Sequence, residues 1–263
     1  MTYWNLSFSQ IKTLDIYIHH GQVLMYDSIA IDVTSFNNID SFQAKHLNLK
    51  YSVGDSLLIS IYNRDSSSHQ LCIPYLNWFS DTIKTGDSLN SSLKLNQSGF
   101  FVLKDVIHNH NVLDGSIQVG YNNNKSFYWN IRSFSSVNSL NPYRPDYFTL
   151  NTHSKPDIVY DSSAVPVANV GDTVLIFIAN TGLSYHSLHF HGFHSEILFS
   201  SKFSNHSGRL KDTFPIYPKQ SLILRMVPDK TGIYPVHDHN LLAVTGGGIY
   251  PNGMFISMKI NGQ

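Results

Sequence analysis

The chain has 263 residues with 18 basic and 18 acidic side chains, a formal net charge of zero and only 14% charged residues. That balance excludes the basic face needed for nucleic acid or an anionic membrane surface, and the length suits two ordinary domains, each with its own core. With 15 Tyr and 16 Phe and little helical periodicity, the composition predicts an all-β protein, and the charge balance a polar or small-molecule partner.

The opening Met1-Thr-Tyr-Trp-Asn-Leu6 has no basic segment leading into an apolar run, and no stretch approaches eighteen apolar residues. Two expectations follow: a cytoplasmic protein, or a periplasmic or secreted one whose export signal was removed. The single cysteine, Cys72, allows no intrachain disulfide and leaves the redox compartment open.

From Leu14 to Val33, short apolar alternations break at His19-His20-Gly21 and at Tyr26-Asp27. They predict one or two strands, with His19 and His20 at a surface turn. Next, Val53-Gly54-Asp55 introduces a β-rich run to Tyr62-Asn63, followed by His69-Gln-Leu71-Cys72. The phrase returns as Val170-Gly171-Asp172, a β-rich run to Asn180, then His186-Ser-Leu188. Positions 54, 55, 63, 69 and 71 recur at 171, 172, 180, 186 and 188, each 117 residues later. A constant offset across matching strand patterns is an internal duplication, so two homologous β domains are expected.

The turn-rich stretch Val119 to Ser126 predicts a linker between domains spanning residues 1–122 and 127–263. Asn141-Pro-Tyr-Arg-Pro-Asp146 reads as a loop, because proline cannot join a ladder. Strands are expected at Phe148–Leu150, Val174–Ile178, Glu196–Phe199, Ser221–Val227 and Met254–Ile260. Spaced so, they suggest antiparallel sandwiches.

The chemistry concentrates in two places. His186-Ser-Leu-His189-Phe-His191-Gly-Phe-His194 carries four of the fourteen histidines, and about fifty residues on comes His237-Asp238-His239. Imidazole is a common metal ligand, and histidines two apart in a strand face one way. If the two segments are neighbouring strands, four imidazoles converge on one spot.

In order, His186-x-x-His189-x-His191-Gly, Lys211-Asp-Thr-Phe-Pro215, Gly232-Ile-Tyr-Pro-Val-His237-x-His239 and Gly253-Met254 resemble the last domain of multicopper oxidases. The resemblance covers residues 127–263 well and 1–122 weakly. It implies two tandem cupredoxin-like Greek-key β-sandwich domains, the first degenerate and the second with a histidine-rich metal site. It also implies that His189, His191, His237 and His239 face a copper cluster, that His186 holds the place of a type 1 copper ligand, and that Met254 stands at the axial methionine position.

The departures carry as much information. Asp238 replaces the cysteine of the family's His-Cys-His, and Ala243 the second type 1 histidine. Blue copper needs a thiolate with two imidazoles, so no type 1 copper is expected and Asp238 should hydrogen-bond His186. In the first domain, Cys72 and Pro74 stand where cluster histidines would be, and Cys72 reads as a small buried hydrophobe. His108 and His110 remain a candidate partner pair or loop residues. Asp212 and Asp238 are candidates to orient the imidazoles, whereas His153, His194 and His206 are expected to lie outside the site. Four imidazoles favour copper, with tetrahedral zinc as the alternative ion.

Three functions stay open at this stage: a copper-dependent oxidoreductase with no type 1 copper, a non-catalytic copper-handling protein, and a metal-free binding module on the cupredoxin fold. Two-domain members of the superfamily form ring-like trimers with sites between subunits. The resemblance therefore implies a homo-oligomer in which His108 and His110 of one chain meet the second domain of another. No substrate can be read from these residues.

Overall fold

The computed structural model describes residues 9–108, 110–137 and 143–262. Strands dominate, and among the described residues the only helical elements are four 3-10 turns. No helix is long and apolar enough to cross a membrane.

The strands form two sandwiches. In the first, a sheet ordered Ser88–Lys94, Ser56–Asn63, Ile11–Leu24, Ala30–Asn37 and Val112–Leu113 faces one ordered Asn48–Tyr51, Gly115–Val119, Gly99–Asp105, Leu71–Ile73 and Trp78–Phe79. In the second, a six-stranded sheet runs Tyr147–Leu150, Ser126–Phe134, Val174–Asn180, Ser221–Met226, Ser195–Ser200 and Leu210–Lys211. It faces five strands ordered Val167–Asn169, Phe255–Asn261, Gly232–Asp238, His186–Phe190 and Thr213–Ile216. Successive side chains in a strand point to opposite faces, so alternation sends Leu14, Ile16 and Ile18 into the first core. In the same way Val174, Ile176 and Ile178 fill the second.

The expected break at His19-His20-Gly21 does not occur. Strand Ile11–Leu24 runs straight through, with His19 opposite Ser35 and Gly21 opposite Val33. Gly21 serves here by lacking a side chain, since a Cβ would lie 2.6 Å from the ring of Phe42. His19 reaches Asp40 at 3.2 Å from within the strand. The chain reverses only at Met25 to Ile29, where Ser28 N–H donates to Met25 O and Met25 N–H to Ile29 O, both at 2.8 Å. Of the expected Asn141–Asp146 loop, Asn141 and Pro142 lie outside the described residues.

The 117-residue repeat has a side-chain signature. Gly54 and Gly171 open equivalent strands with φ of 93° and 86°. At the far end of each strand a buried asparagine closes the following loop. Asn63 Nδ2 donates to Ser67 O and Ile83 O, and Asn180 Nδ2 donates to Ser184 O and Ile216 O. Each Oδ1 accepts a backbone N–H two residues on, from Asp65 or Gly182. A buried amide with both ends satisfied fixes one loop conformation.

Strands Val174–Asn180 and Gly99–Asp105 are buried on both faces. The second face of each meets the other sandwich, with Phe100 and Val102 packing against Leu175, Phe177, Ala179 and Ile223. Beside this apolar contact, the buried carboxylate of Asp114 accepts from Lys219 Nζ and lies 3.8 Å from Arg132 Nη1. Both cations also donate to Thr181 O. His46 Nδ1 donates to the backbone carbonyl of Asp114 at 2.7 Å, and burial, aided by the charges of Arg132 and Lys219, lowers the His46 pKa to about 3.

Between the ordinary value of 6.5 and about 3, the unfolded chain therefore binds a proton at His46 that the folded chain does not. Stability contributed by neutral His46 is fully present above pH 6.5 and is lost as the pH falls through this window. His46→Asn keeps an N–H donor for the carbonyl and removes the titration. Denaturant midpoints measured from pH 7 to 4 should lose about one proton's worth of slope in this variant; an unchanged slope would refute the assignment.

Candidate metal centre

Strand His186–Phe190 lies between Gly232–Asp238 and Thr213–Ile216, antiparallel to both. Its register sets His189 directly opposite His237, and Leu188 opposite Asp238. Alternation then separates two sets of side chains. His186, Leu188, Phe190, Val236 and Asp238 are buried under the sheet, while His189 and His237 stand on the other face. His191 and His239, at the ends of these strands, join them.

The four rings gather closely. Centroids lie 4.7 Å apart for His189–His191, 4.6 Å for His189–His239, 5.9 Å for His189–His237, 5.2 Å for His191–His237 and 5.8 Å for His237–His239. Among the described residues, a trio of ligand atoms all within 4.8 Å of one another occurs elsewhere, at His69, Asp105 and His108. The quartet is an open array at the surface, with His191 and His239 exposed. Gly192 makes this opening possible. Its φ is 85°, and a Cβ would strike the Tyr234 ring at 2.4 Å, so only glycine lets the chain turn from exposed His191 to buried Phe193.

Hydrogen bonds on the far side of the rings select the tautomers. His237 Nδ1 lies 2.9 Å from the carbonyl of Asp238. A carbonyl only accepts, so the proton sits on Nδ1 and the Nε2 lone pair faces the array. His189 Nδ1 is 2.9 Å from Thr213 Oγ1, which donates to Asp212 Oδ1 at 3.0 Å. This relay places the His189 proton on Nδ1 too, and leaves Nε2 bare. His191 Nε2 approaches His237 Nε2 at 3.0 Å, a contact in which His191 supplies the proton. Burial first, and then the neighbouring imidazoles of His239 and His191, lower the His189 pKa, keeping it in the neutral form that can ligate.

Asp238 has both oxygens engaged. Oδ2 accepts from His186 Nδ1 at 2.6 Å, and Oδ1 accepts from Ser187 N at 3.1 Å and Asn240 N at 2.8 Å. Both partners are fully buried, and among the described residues His186 Nε2 has no hydrogen-bond partner. Ala243 and Met254 are also buried, and the carbonyl of Ala243 accepts from Met254 N–H at 2.9 Å. Of the expected orienting residues, Asp212 acts through Thr213, whereas Asp238 offers the quartet only its backbone carbonyl. His194, expected outside the site, lines the same cleft as His189, His191 and Asp212. His153 and His206 have no contact with the quartet; His153 is held by backbone bonds to Leu150 and His206 stacks on Phe203 at 4.9 Å.

The first domain repeats the register with different residues. Leu71 stands opposite Asp105 as Leu188 stands opposite Asp238, and Cys72 opposite Lys104 as His189 opposite His237. His69 Nδ1 meets Asp105 Oδ2 at 2.5 Å, repeating the His186–Asp238 bond. Cys72 is buried, as expected, with its thiol pKa pushed up by burial. The sequence signal for Lys104 and Asp105 is an apolar strand ending in aspartate, as at Asp238. His108 packs 5.0 Å from His69, and His110 packs 5.6 Å from Tyr143. Neither has a hydrogen bond or ring contact with the quartet, and Asn109 between them lies outside the described residues.

With this geometry in hand, comparison with known proteins is direct. A family model described as "Multicopper oxidase" matches residues 137–256. Among solved structures, a blue copper oxidase from Nitrosomonas europaea superposes with a TM-score of 0.81 at 18% identity, covering 96% of this chain and 86% of that one. A copper nitrite reductase from the same organism gives 0.78 at 14% identity, covering 95% and 94%. A copper-containing nitrite reductase from Thermus scotoductus gives 0.74 at 17% identity, covering 96% of this chain and 62% of that one. No curated protein sequence matches the chain. The fold is two tandem cupredoxin-like β-sandwiches, and within the second of them residues 137–256 are similar to the multicopper oxidase family.

Breaking a buried pair strands its partner, at a cost of about 3 kcal/mol. Asp238→Ala should lower the unfolding free energy by about that much, and Asp238→Asn, which keeps an acceptor, by clearly less. Urea denaturation of both variants checks this; equal losses would show that the carboxylate contributes packing alone.

Proposed function

We propose that this chain is a copper-binding protein of the superfamily, with copper held at His189, His191, His237 and His239 and with no blue type 1 copper. The observation that carries the reading is the tautomer control: His189 and His237 each spend Nδ1 on an oxygen and turn Nε2 toward the other imidazoles. The donor chemistry fits copper. Imidazole nitrogens bind Cu(II) ahead of zinc in the general order of divalent affinities. At the type 1 position the donors do not fit, because an aspartate already accepting from three N–H groups stands where a thiolate is needed, and the position of the second histidine is a buried alanine. His186 is thereby a structural residue tied to Asp238.

The chain divides, in this reading, into domains at residues 1–122 and 127–263, with the metal chemistry in the second. Exposed His191 and His239 leave an open half-site, which supports completion by another copy of the chain, His108 and His110 being the histidines the first domain offers. Bound copper would supply one-electron chemistry toward oxygen or a reducing substrate. The residues here bind the ion, fix the imidazole tautomers and, through Asp212 and Thr213, hold the His189 proton on Nδ1. A non-catalytic copper-handling role is the second reading, favoured by the loss of the thiolate through which the family's blue site passes electrons.

Protein purified without chelators should carry copper with no intense blue absorption, and His237→Ala should lose most of it. Metal-free protein that ignores added Cu(II) would overturn the reading. Oxygen uptake with a phenolic substrate, abolished in His237→Ala, separates the oxidoreductase from the copper-handling protein.

A further inference from the structure

One turn of the duplicated frame carries a glycine in the first copy and a lysine in the second. Gly86 and Lys219 are equivalent: Gly86 N–H donates to Asn63 O at 3.0 Å, and Lys219 N–H donates to Asn180 O at 2.8 Å. Both take the left-handed conformation, with φ of 79° at the glycine and 61° at the lysine. An L side chain is disfavoured there, and a long charged residue held in that conformation points to a task for its side chain. Part of the task lies at the joint between the sandwiches, where Lys219 Nζ donates to Asp114 Oδ2 and to Thr181 O. An ammonium has three protons, so one remains.

Lys219 also lines a cavity of about 210 Å³ between the sandwiches, in company with Lys104 and Lys202. Its walls are apolar, from Pro74, Tyr75 and Val102 of the first domain and Pro218 of the second. Among the described residues the lysine ion pairs are Lys125 with Asp172 and Lys219 with Asp114; Lys104 and Lys202 form none. Lys202 Nζ lies instead over the ring of Tyr217 at 4.1 Å and that of Phe203 at 5.6 Å. Asp114 is already shared between Lys219 and Arg132, so four cations stand here to one carboxylate. The crowding is felt at Lys219: burial first lowers its pKa and Asp114 opposes this, but the charges of Arg132 and Lys104 lower it further. A bound anion relieves that repulsion.

We propose that Lys104, Lys202 and Lys219 form a binding site for a small organic polycarboxylate, seated between the two domains. Carboxylate oxygens accept from the three ammonium groups, point donors whose rotating protons impose no planar geometry on the ligand. The apolar walls cover carbon surface that an inorganic anion lacks. The cavity is smaller than the pockets that hold drug-sized molecules, which start at about 300 Å³, so the ligand is small. A metal ion does not suit it, because no imidazole, thiolate or carboxylate lines the cavity. Since both sandwiches contribute charge, the ligand ties them together, and its binding stabilises the folded chain by mass action. The site does not depend on copper at the histidine quartet.

The probe is tricarballylate, titrated calorimetrically into the full-length chain at constant ionic strength. Binding should saturate at about one equivalent, and Lys104→Gln/Lys202→Gln should weaken it by about tenfold or more, because two charge-assisted contacts are lost. Neither lysine belongs to the Asp114 knot, so the fold persists in this variant, and far-ultraviolet circular dichroism checks it. Inorganic phosphate, which cannot cover the apolar walls, should bind the unaltered protein more weakly than tricarballylate. The His237→Ala/His239→Ala protein should bind tricarballylate as the unaltered protein does, which separates this cavity from the metal centre. The proposal is overturned by absence of binding, by binding unchanged in Lys104→Gln/Lys202→Gln, by phosphate binding at least as tightly, or by binding lost together with the quartet.

Discussion

In each sandwich, one buried imidazole–carboxylate bond ties the strand that begins or follows a histidine to the strand that ends in an aspartate. His186 to Asp238 spans 2.6 Å and His69 to Asp105 spans 2.5 Å, both without solvent exposure. Such a bond is strong only while both partners stay in place, because either one left alone would be an uncompensated buried polar group. It therefore fixes the register on which the rest of the second domain depends. A one-residue slip would turn every side chain to the opposite face, taking His189 and His237 off the surface array and driving Leu188 and Val236 out of the core.

The same pair separates a buried side of the strand from an outer one. In the second domain that carboxylate, Asp238, accepts from three N–H groups, of His186, Ser187 and Asn240. What the second domain keeps is the outer array, in which tautomers are chosen by the Asp238 carbonyl and by the Thr213–Asp212 relay. The first domain differs there: Cys72 and Lys104 occupy the places of His189 and His237, while the buried imidazole–carboxylate pair is kept as His69 and Asp105. One duplicated frame thus carries two different outer faces.

The joint between the sandwiches is more than apolar packing. Phe100, Val102, Phe177 and Ile223 supply the contact area, while Asp114, Arg132, Lys219 and Thr181 form a charged knot at its edge. Knots of this kind cost desolvation, and they define one relative placement of the partners where a greasy face alone would permit several.

Much was legible in the chain itself. The duplication, the alternating strands, the histidine pairs and the bond between Asp238 and His186 all follow from period-two alternation and from fixed spacings, which are local properties. Sequence alone is silent where one distant residue decides the outcome. Gly21 has the look of a turn, yet the Phe42 ring lies where its side chain would be, and the spacing of Asp105 from His69 differs from that of Asp238 from His186, which hides their equivalence. Periodicity says which face of a strand a histidine occupies. Only tertiary structure sets His189 opposite His237, leaves His108 beside His69, and opens the quartet to solvent, because strand partners and loop paths are fixed by burying two cores at once.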